Sequence, residues 1–193
     1  MLSGTLVCIL LISGCSSNKP ANTSIQDILA KAKTIVSVKY ILTIVNGNRT
    51  INWTVWEKPP FMKINGSMGP VFQVFIKRPD GIYTEITGTH KFIKINGTFP
   101  EKSLINQSDV LLSNMTFRIV GNETIDGTTT TVLQYATSQS GGSTTTKVWI
   151  WNDKGIPIKT QVTVQMGEMT IVTTTVMKNF DFSDIPISEF SVE

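Results

Sequence analysis

The chain has 193 residues, a net charge of +3 at pH 7, and only 16% Asp, Glu, Lys and Arg. Its Lys and Arg are spread without a cluster, which excludes the electrostatic footprint of a nucleic-acid binder. Both cysteines, Cys8 and Cys15, lie near the start, so the remainder has no thiol for a disulfide, a zinc site or nucleophilic catalysis.

The first residues carry a compartment signal. Leu6 to Ile12 is apolar but far shorter than the ~20 residues a membrane-spanning helix needs, and it ends in Ile12-Ser13-Gly14-Cys15. That is the lipobox pattern, at which a secretory leader is cut and the new N-terminal cysteine acylated. Residues 1–14 are therefore expected to be a signal peptide, with Cys15 as the site of lipid attachment. No Lys or Arg precedes the apolar run, a departure from the usual leader that a start codon placed too far downstream would explain. A plain secretory leader and a frayed apolar N-terminus are the alternatives. Residues 15–22 are polar, include Pro20, and suit a flexible tether to a single domain over 23–193.

Within that domain, Ser24 with Asp27 three residues on reads as a helix start, and Ile25, Ile28, Leu29, Ala32 and Ile35 follow at helical spacing. The helix should end near Thr34. From Val36 the period becomes two: Val38, Tyr40, Leu42 and Ile44, then the turn Asn46-Gly47-Asn48, then Ile51, Trp53 and Val55. Pro59-Pro60 breaks the ladder, Phe61 to Asn65 resumes it, Gly66 to Pro70 turns, and Val71 to Lys77 runs to Pro79-Asp80-Gly81. Ile82 to Thr87 and His90 to Asn96 form another pair. Pro100 to Met115 loses the alternation and suits one or two short helices over the sheet.

Five more strands follow: Phe117 to Val120, Thr128 to Thr137, Thr144 to Trp151, Ile158 to Met166 and Met169 to Met177, with turns at 122–127, 138–143, 152–157 and 167–168. The Thr runs at Thr128, Thr144 and Thr173 lack proline and are flanked by alternating apolar residues, so they are β-branched strand filler. With no crossover helix between strands the sheet should be antiparallel. The expected class is α+β, mainly β: a large curved antiparallel sheet, a half-barrel, wrapped around one or two helices. Its apolar interior would be wider than its own side chains fill.

Eight of the twelve asparagines begin Asn-x-Ser/Thr sequons: Asn22, Asn48, Asn52, Asn65, Asn96, Asn106, Asn114 and Asn122. Ser and Thr are 42 of the 193 residues, so chance would give about two or three. Glycan acceptors on a cell surface are the simplest cause, with accidental sequons in a Thr-rich β protein as the alternative. Dense sequons beside a lipobox resemble an archaeal envelope lipoprotein.

Several phrases carry a resemblance to a known family. Glu57-Lys58-Pro59-Pro60-Phe61-Met62-Lys63 is similar to a proline turn and "P-x-x-R" strand; Gly121 to Gly127 to "G-x-E-x-x-G"; Lys147 to Trp151 to "x-x-W-I-D"; Gly155 to Lys159 to "G-x-P-x-K"; and Ile185 to Phe190 to a closing "I-P-x-x-x-F". In this order they resemble the LolA-like lipoprotein carrier and sorting superfamily across the whole domain. That family includes periplasmic lipoprotein chaperones, their lipid-anchored acceptors and lipid-binding envelope lipoproteins. Lys63 falls where the soluble carriers have a lid-holding Arg, and Lys does not reproduce a planar bidentate contact, which argues against their lid gating. An acylated Cys15 would keep the chain on one membrane, so the resemblance implies an acceptor or lipid holder in preference to a shuttle.

The expected function is a lipid-anchored extracytoplasmic protein that holds a lipid or lipoprotein acyl chain in an apolar cavity. Taking one parity from each strand, its lining would be Tyr40, Leu42, Trp53, Val55, Met62, Ile64, Phe72, Val74, Ile93, Ile95, Leu133, Trp149 and Trp151. Core filling is the competing role for each tryptophan. His90, the only histidine, reads as a solvated strand residue, and Asp80, Asp126, Asp153 and Asp184 fall at turns, so no catalytic residue, metal or cofactor is expected. The partners expected are a lipid or acylated protein and a membrane, with the protein itself a monomer. The second function is a glycosylated structural or sensory envelope lipoprotein with a packed core and a protein partner.

Overall fold

Helix α1, Ile25–Ala30, begins with the capping box its sequence announces: the Asp27 N–H donates to Ser24 Oγ at 3.1 Å and the Ser24 N–H to Asp27 Oδ2 at 3.3 Å. It tightens into a 3₁₀ turn over Lys31–Thr34. Ser24→Ala should lower the unfolding free energy by about 1 kcal/mol, read from the urea midpoint; an unchanged midpoint would mean the cap is replaced by solvent. The computed structural model describes residues 24–68, 71–114, 117–139 and 141–192; the leader, Cys15, the tether and Asn22 lie outside them.

Eleven strands then form one antiparallel curved sheet: β1 Val38–Asn46, β2 Arg49–Lys58, β3 Phe61–Met68, β4 Val71–Arg78, β5 Gly81–Ile86, β6 Lys91–Ile95, β7 Arg118–Ile125, β8 Thr128–Gln139, β9 Gly142–Trp151, β10 Pro157–Met166 and β11 Met169–Asp181. Their order is β6-β5-β4-β3-β2-β1-β11-β10-β9-β8-β7, two meanders joined by pairing of β1 with β11. Helix α2, Leu104–Asn114, supplies the crossing between them. This is the mainly β half-barrel expected from the alternation. Among the described residues no helix is long and apolar enough to cross a membrane.

Directly paired residues share a face, so the register assigns every side chain. Leu42 faces Trp53 and Met177, Val55 faces Tyr40 and Ile64, and Val148 faces Leu133 and Thr160. These lie on the inner face, under the helices. There Val38, Tyr40, Leu42, Val55, Met62 and Ile64 pack with Ala32, Leu104 and Ile105, while Leu133, Val148 and Ile150 pack with Ile25, Ile28, Leu29 and Leu111. The outer face has its own core. Val74 and Ile76 of β4, with Trp56, Phe61 and Phe92, are covered by Ile185 and Phe190 of the C-terminal segment, whose last turn is a 3₁₀ turn over Ile187–Phe190.

Two local details depart from the sequence reading. Residues 122–125, read as part of a turn, extend β7 by pairing with Thr128 to Thr131, and the turn itself is only Asp126-Gly127, both at positive φ. Gly66, read as a turn residue, belongs to β3 opposite Trp53, where a Cβ would come within 2.6 Å of the Trp53 ring and 2.3 Å of the Asn52 carbonyl oxygen.

Candidate functional site

Helix α2 sends side chains into two separate cores of the sheet and leaves a gap beside them. Leu104 and Ile105 sink into the core formed by β1 to β3, and Leu111 into the core formed by β8 and β9. The strand residues below the gap include Thr160 and Thr175, too small to fill it. The resulting cleft has a volume of about 710 Å³, within the ~300–1,000 Å³ range of small-molecule sites. Leu42, Ile82, Phe99, Leu111, Val148 and Met177 supply its apolar lining; Lys77, Glu101, Lys102, Asn106 and Gln107 add polar groups.

The N-terminal end of α2 is fixed by a buried carboxylate. Glu57 follows Trp53 and Val55 on the inner face of β2 and is only 1% exposed. It accepts hydrogen bonds from the Ser103 hydroxyl, from the Leu104 N–H at 2.8 Å and from the Ile105 N–H at 3.3 Å. Ser103 Oγ in turn accepts the Asn106 N–H at 3.0 Å. The first turn of α2 therefore has its free donors satisfied from the sheet as well as from its own cap. Burial pushes the Glu57 pKa up, against the lowering effect of these three donors. Burial also raises Glu101, with a further push from Glu57, and holds the Tyr40 hydroxyl well above its ordinary value. Farther along α2, the Ser108 hydroxyl donates to the Gly155 carbonyl at 2.7 Å, tying the helix to the β9–β10 turn.

The expected lining residues divide between faces. Tyr40, Leu42, Trp53, Val55, Met62, Ile64 and Leu133 are buried on the inner face, and of these Leu42 borders the cleft. Ile93 and Ile95 share that face on β6, opposite Thr84 and Ile82, with Ile93 49% exposed. Phe72 and Val74 lie on the outer face: Val74 under the C-terminal segment, Phe72 53% exposed. Trp149 also points outward, packed with Val132 and Ile158, its Nε1–H donating to Glu123 at 2.7 Å and Lys159 Nζ lying 4.4 Å from its ring centre. Trp151, at the end of β9, joins Phe180 and Phe182 at centroid distances of 5.7 and 5.9 Å. The geometry thus brings Leu42 to the cleft and distributes the other twelve over both faces, most of them packed and Ile93 and Phe72 largely exposed.

Of the sequons, Asn48, Asn52, Asn96, Asn106 and Asn122 are exposed and Asn65 is half-buried; Asn114 ends α2, and its side chain lies outside the described set. His90 stands in the β5–β6 turn with φ 56° and a solvent-exposed ring 3.2 Å from Glu85. Lys63 is on the outer face, 3.2 Å from Glu189 and over the Trp56 ring, so it clasps the C-terminal segment and does not reach α2.

Sequence reasoning passed over Glu57, Phe99, Ser103 and Leu111. Glu57 had a visible signal: it is a charge that continues the apolar phase of Ile51, Trp53 and Val55. Phe99 and Leu111 sit where alternation lapses, and had none.

No family model matches the sequence, and comparison with curated protein sequences gives no significant match. Solved structures do resemble the fold. LprF from Mycobacterium bovis matches at TM-score 0.52 and 15% identity over 84% of this chain and 93% of its own. The Mycobacterium tuberculosis lipoprotein LppX matches at TM-score 0.51 and 16% identity over 84% and 95%. MucB, in the MucA/MucB complex of Pseudomonas aeruginosa, matches at TM-score 0.56 and 13% identity over 86% of this chain and 59% of its own.

Proposed function

We propose that this chain, which has the LolA-like fold, is an extracytoplasmic lipoprotein tethered through Cys15 that holds a lipid, or the acyl chain of a lipoprotein, in the cleft beneath α2. The observation that carries this reading is the cleft itself: an apolar-lined space of about 710 Å³ in the interior of the half-barrel, roofed by a helix pinned at Leu104 and at Ser108. Each methylene buried there contributes ~0.8 kcal/mol, so a chain of ordinary length is held without any specific polar contact. Likeness to the lipoprotein LppX and to LprF supports the reading at the level of fold. The exposed sequons fit a glycosylated cell-surface protein, with the sugars outside the cleft except at Asn106 on its border.

Purification of the full chain from its native membranes, with mass spectrometry of extractable lipid, tests the proposal. Thr160→Trp places a large ring on the cleft floor; displacing two methylenes costs about 1.6 kcal/mol, so bound lipid should fall about tenfold while the fold persists. Wild-type protein that comes off the membrane with no lipid, or a Thr160→Trp protein that carries as much as wild type, would count against it. One observation favours a second reading, a sensory envelope protein with a protein partner: MucB, of the same fold, forms a complex with MucA. Co-purification of a stoichiometric protein in place of lipid would select that reading.

A further inference from the structure

Beyond α2, the inner face continues past the cleft toward the hairpin tips. On β10 the residues two apart from the cleft's Thr160 are Val162, Val164 and Met166, paired with Thr173, Ile171 and Met169 of β11. Ile44 and Ile51, a pair on β1 and β2, continue the same surface from Leu42. Coverage decreases steadily along this path: Met177 is buried, Val162, Val164 and Ile171 are half-buried, and Met166 and Met169 at the tip are 48% and 58% exposed. The reverse side of β10 carries Lys159, Gln161, Thr163 and Gln165. The alternation thus keeps an apolar stripe on the inner face beyond the cleft, flanked by the methyl-bearing Thr144, Thr146 and Thr173.

We propose that this stripe is the second half of the ligand site, so that the protein takes hydrocarbon longer than one bilayer leaflet, which enters past Met166 and Met169. The proposal rests on the lipid-holding reading and adds the class of chain. The seven residues of strand from Thr160 to Met166 span about 20 Å. One leaflet of a bilayer core is about 15 Å deep. A chain seated in the cleft and continuing along the stripe therefore exceeds the length that the cleft and a single leaflet accommodate. Because the stripe opens directly from the cleft floor, hydrocarbon covers it without any new element of the protein moving. Two methionines at the open end suit a mouth through which chains of varied shape pass, since their unbranched, polarisable side chains adapt to the surface against them.

The test is a competition between two phosphatidylcholines, with dodecanoyl and with tetracosanoyl chains, offered in equal amounts to the full-length protein and read by native mass spectrometry. Wild type should carry the tetracosanoyl lipid at least about tenfold over the dodecanoyl one, the preference that burial of only two further methylenes gives. Val164→Lys, which puts a charge in the stripe and none in the cleft, should abolish that preference and leave dodecanoyl binding intact; Val164→Ser serves if circular dichroism finds the lysine variant unfolded. Thr160→Trp should reduce both lipids together. A wild type that binds both lipids equally, or a Val164 variant that keeps the preference, overturns the stripe and leaves the cleft standing. A wild type that holds neither lipid removes the underlying reading and the stripe with it.

Discussion

Glu57→Ala should lower the unfolding free energy by about 3 kcal/mol and release the N-terminal end of α2. The substitution strips the Leu104 and Ile105 N–H groups and the Ser103 hydroxyl of their acceptor in a site closed to water, and unsatisfied buried donors are among the costlier defects a single change can make. Glu57→Gln keeps one acceptor oxygen and should cost about 1 kcal/mol. The pH dependence separates the charge from the shape. The folded-state pKa of Glu57 is raised above its ordinary 4.5, so the folded protein binds the proton more tightly than the unfolded chain does. Its contribution is fully present below that ordinary value and is lost as pH rises through the raised one. Glu101 acts with the same sign, whereas Asp80 and Asp181, lowered by hydrogen bonds from Tyr83 and Ser183 respectively, act with the opposite sign at exposed positions. Urea midpoints taken upward from about pH 4 should therefore fall in wild type and fall less steeply in Glu57→Gln. Equal slopes in the two proteins would show that Glu57 titrates alike folded and unfolded.

The second large effect is expected at Gly155, which sits in the β9–β10 turn with φ +72°. A Cβ there would stand 2.2 Å from the Ile28 carbonyl oxygen and 2.9 Å from the Ala32 nitrogen, both backbone atoms of the α1 region. Gly155→Ala must push that helical segment off the sheet and disturb the Ser108 bond from α2 to the same residue. A loss of about 3 kcal/mol or more is expected. Gly127→Ala is the control: φ is +79°, but nothing lies within 4 Å of the added carbon, so only the conformational penalty of about 1 kcal/mol applies. Equal losses at the two glycines would mean that α1 yields freely and that the close approach contributes nothing.

Gly155 also explains what the sequence phrases encode. It opens the "G-x-P-x-K" phrase, whose Lys159 lies over Trp149 of the preceding phrase, and Trp149 donates to Glu123 of the phrase before that. The closing phrase supplies Ile185 and Phe190, which cover Val74 and Ile76 from outside, and Lys63 of the first clasps Glu189. The fold was legible in these phrases because they are written in the bracing of the sheet. The cleft was less so, because its lining comes largely from α2, the loop before it and threonines that look like strand filler. Parity was the other obstacle. β4 reads Val-Phe-Gln-Val-Phe-Ile-Lys, apolar on both sides because both are packed, and only its pairing of Phe75 with Ile64 decides that Phe75 faces inward and Val74 outward. The helix start at Ser24 and the hairpin at Asn46-Gly47 needed no such information, since capping and turn chemistry are local.

The sheet ends in two strands, β6 and β7, that pair on one side only. Unpaired backbone of that kind invites a foreign strand to add itself, and each border carries features that oppose it. β6 is five residues long and carries Lys91 and Lys94, while β7 is broken by a bulge between Ile119 and Gly121 and bears Arg118 and Glu123. A half-barrel can thus remain unsealed, its greasy hollow reachable from solution, without its rims templating fibrous growth from molecule to molecule.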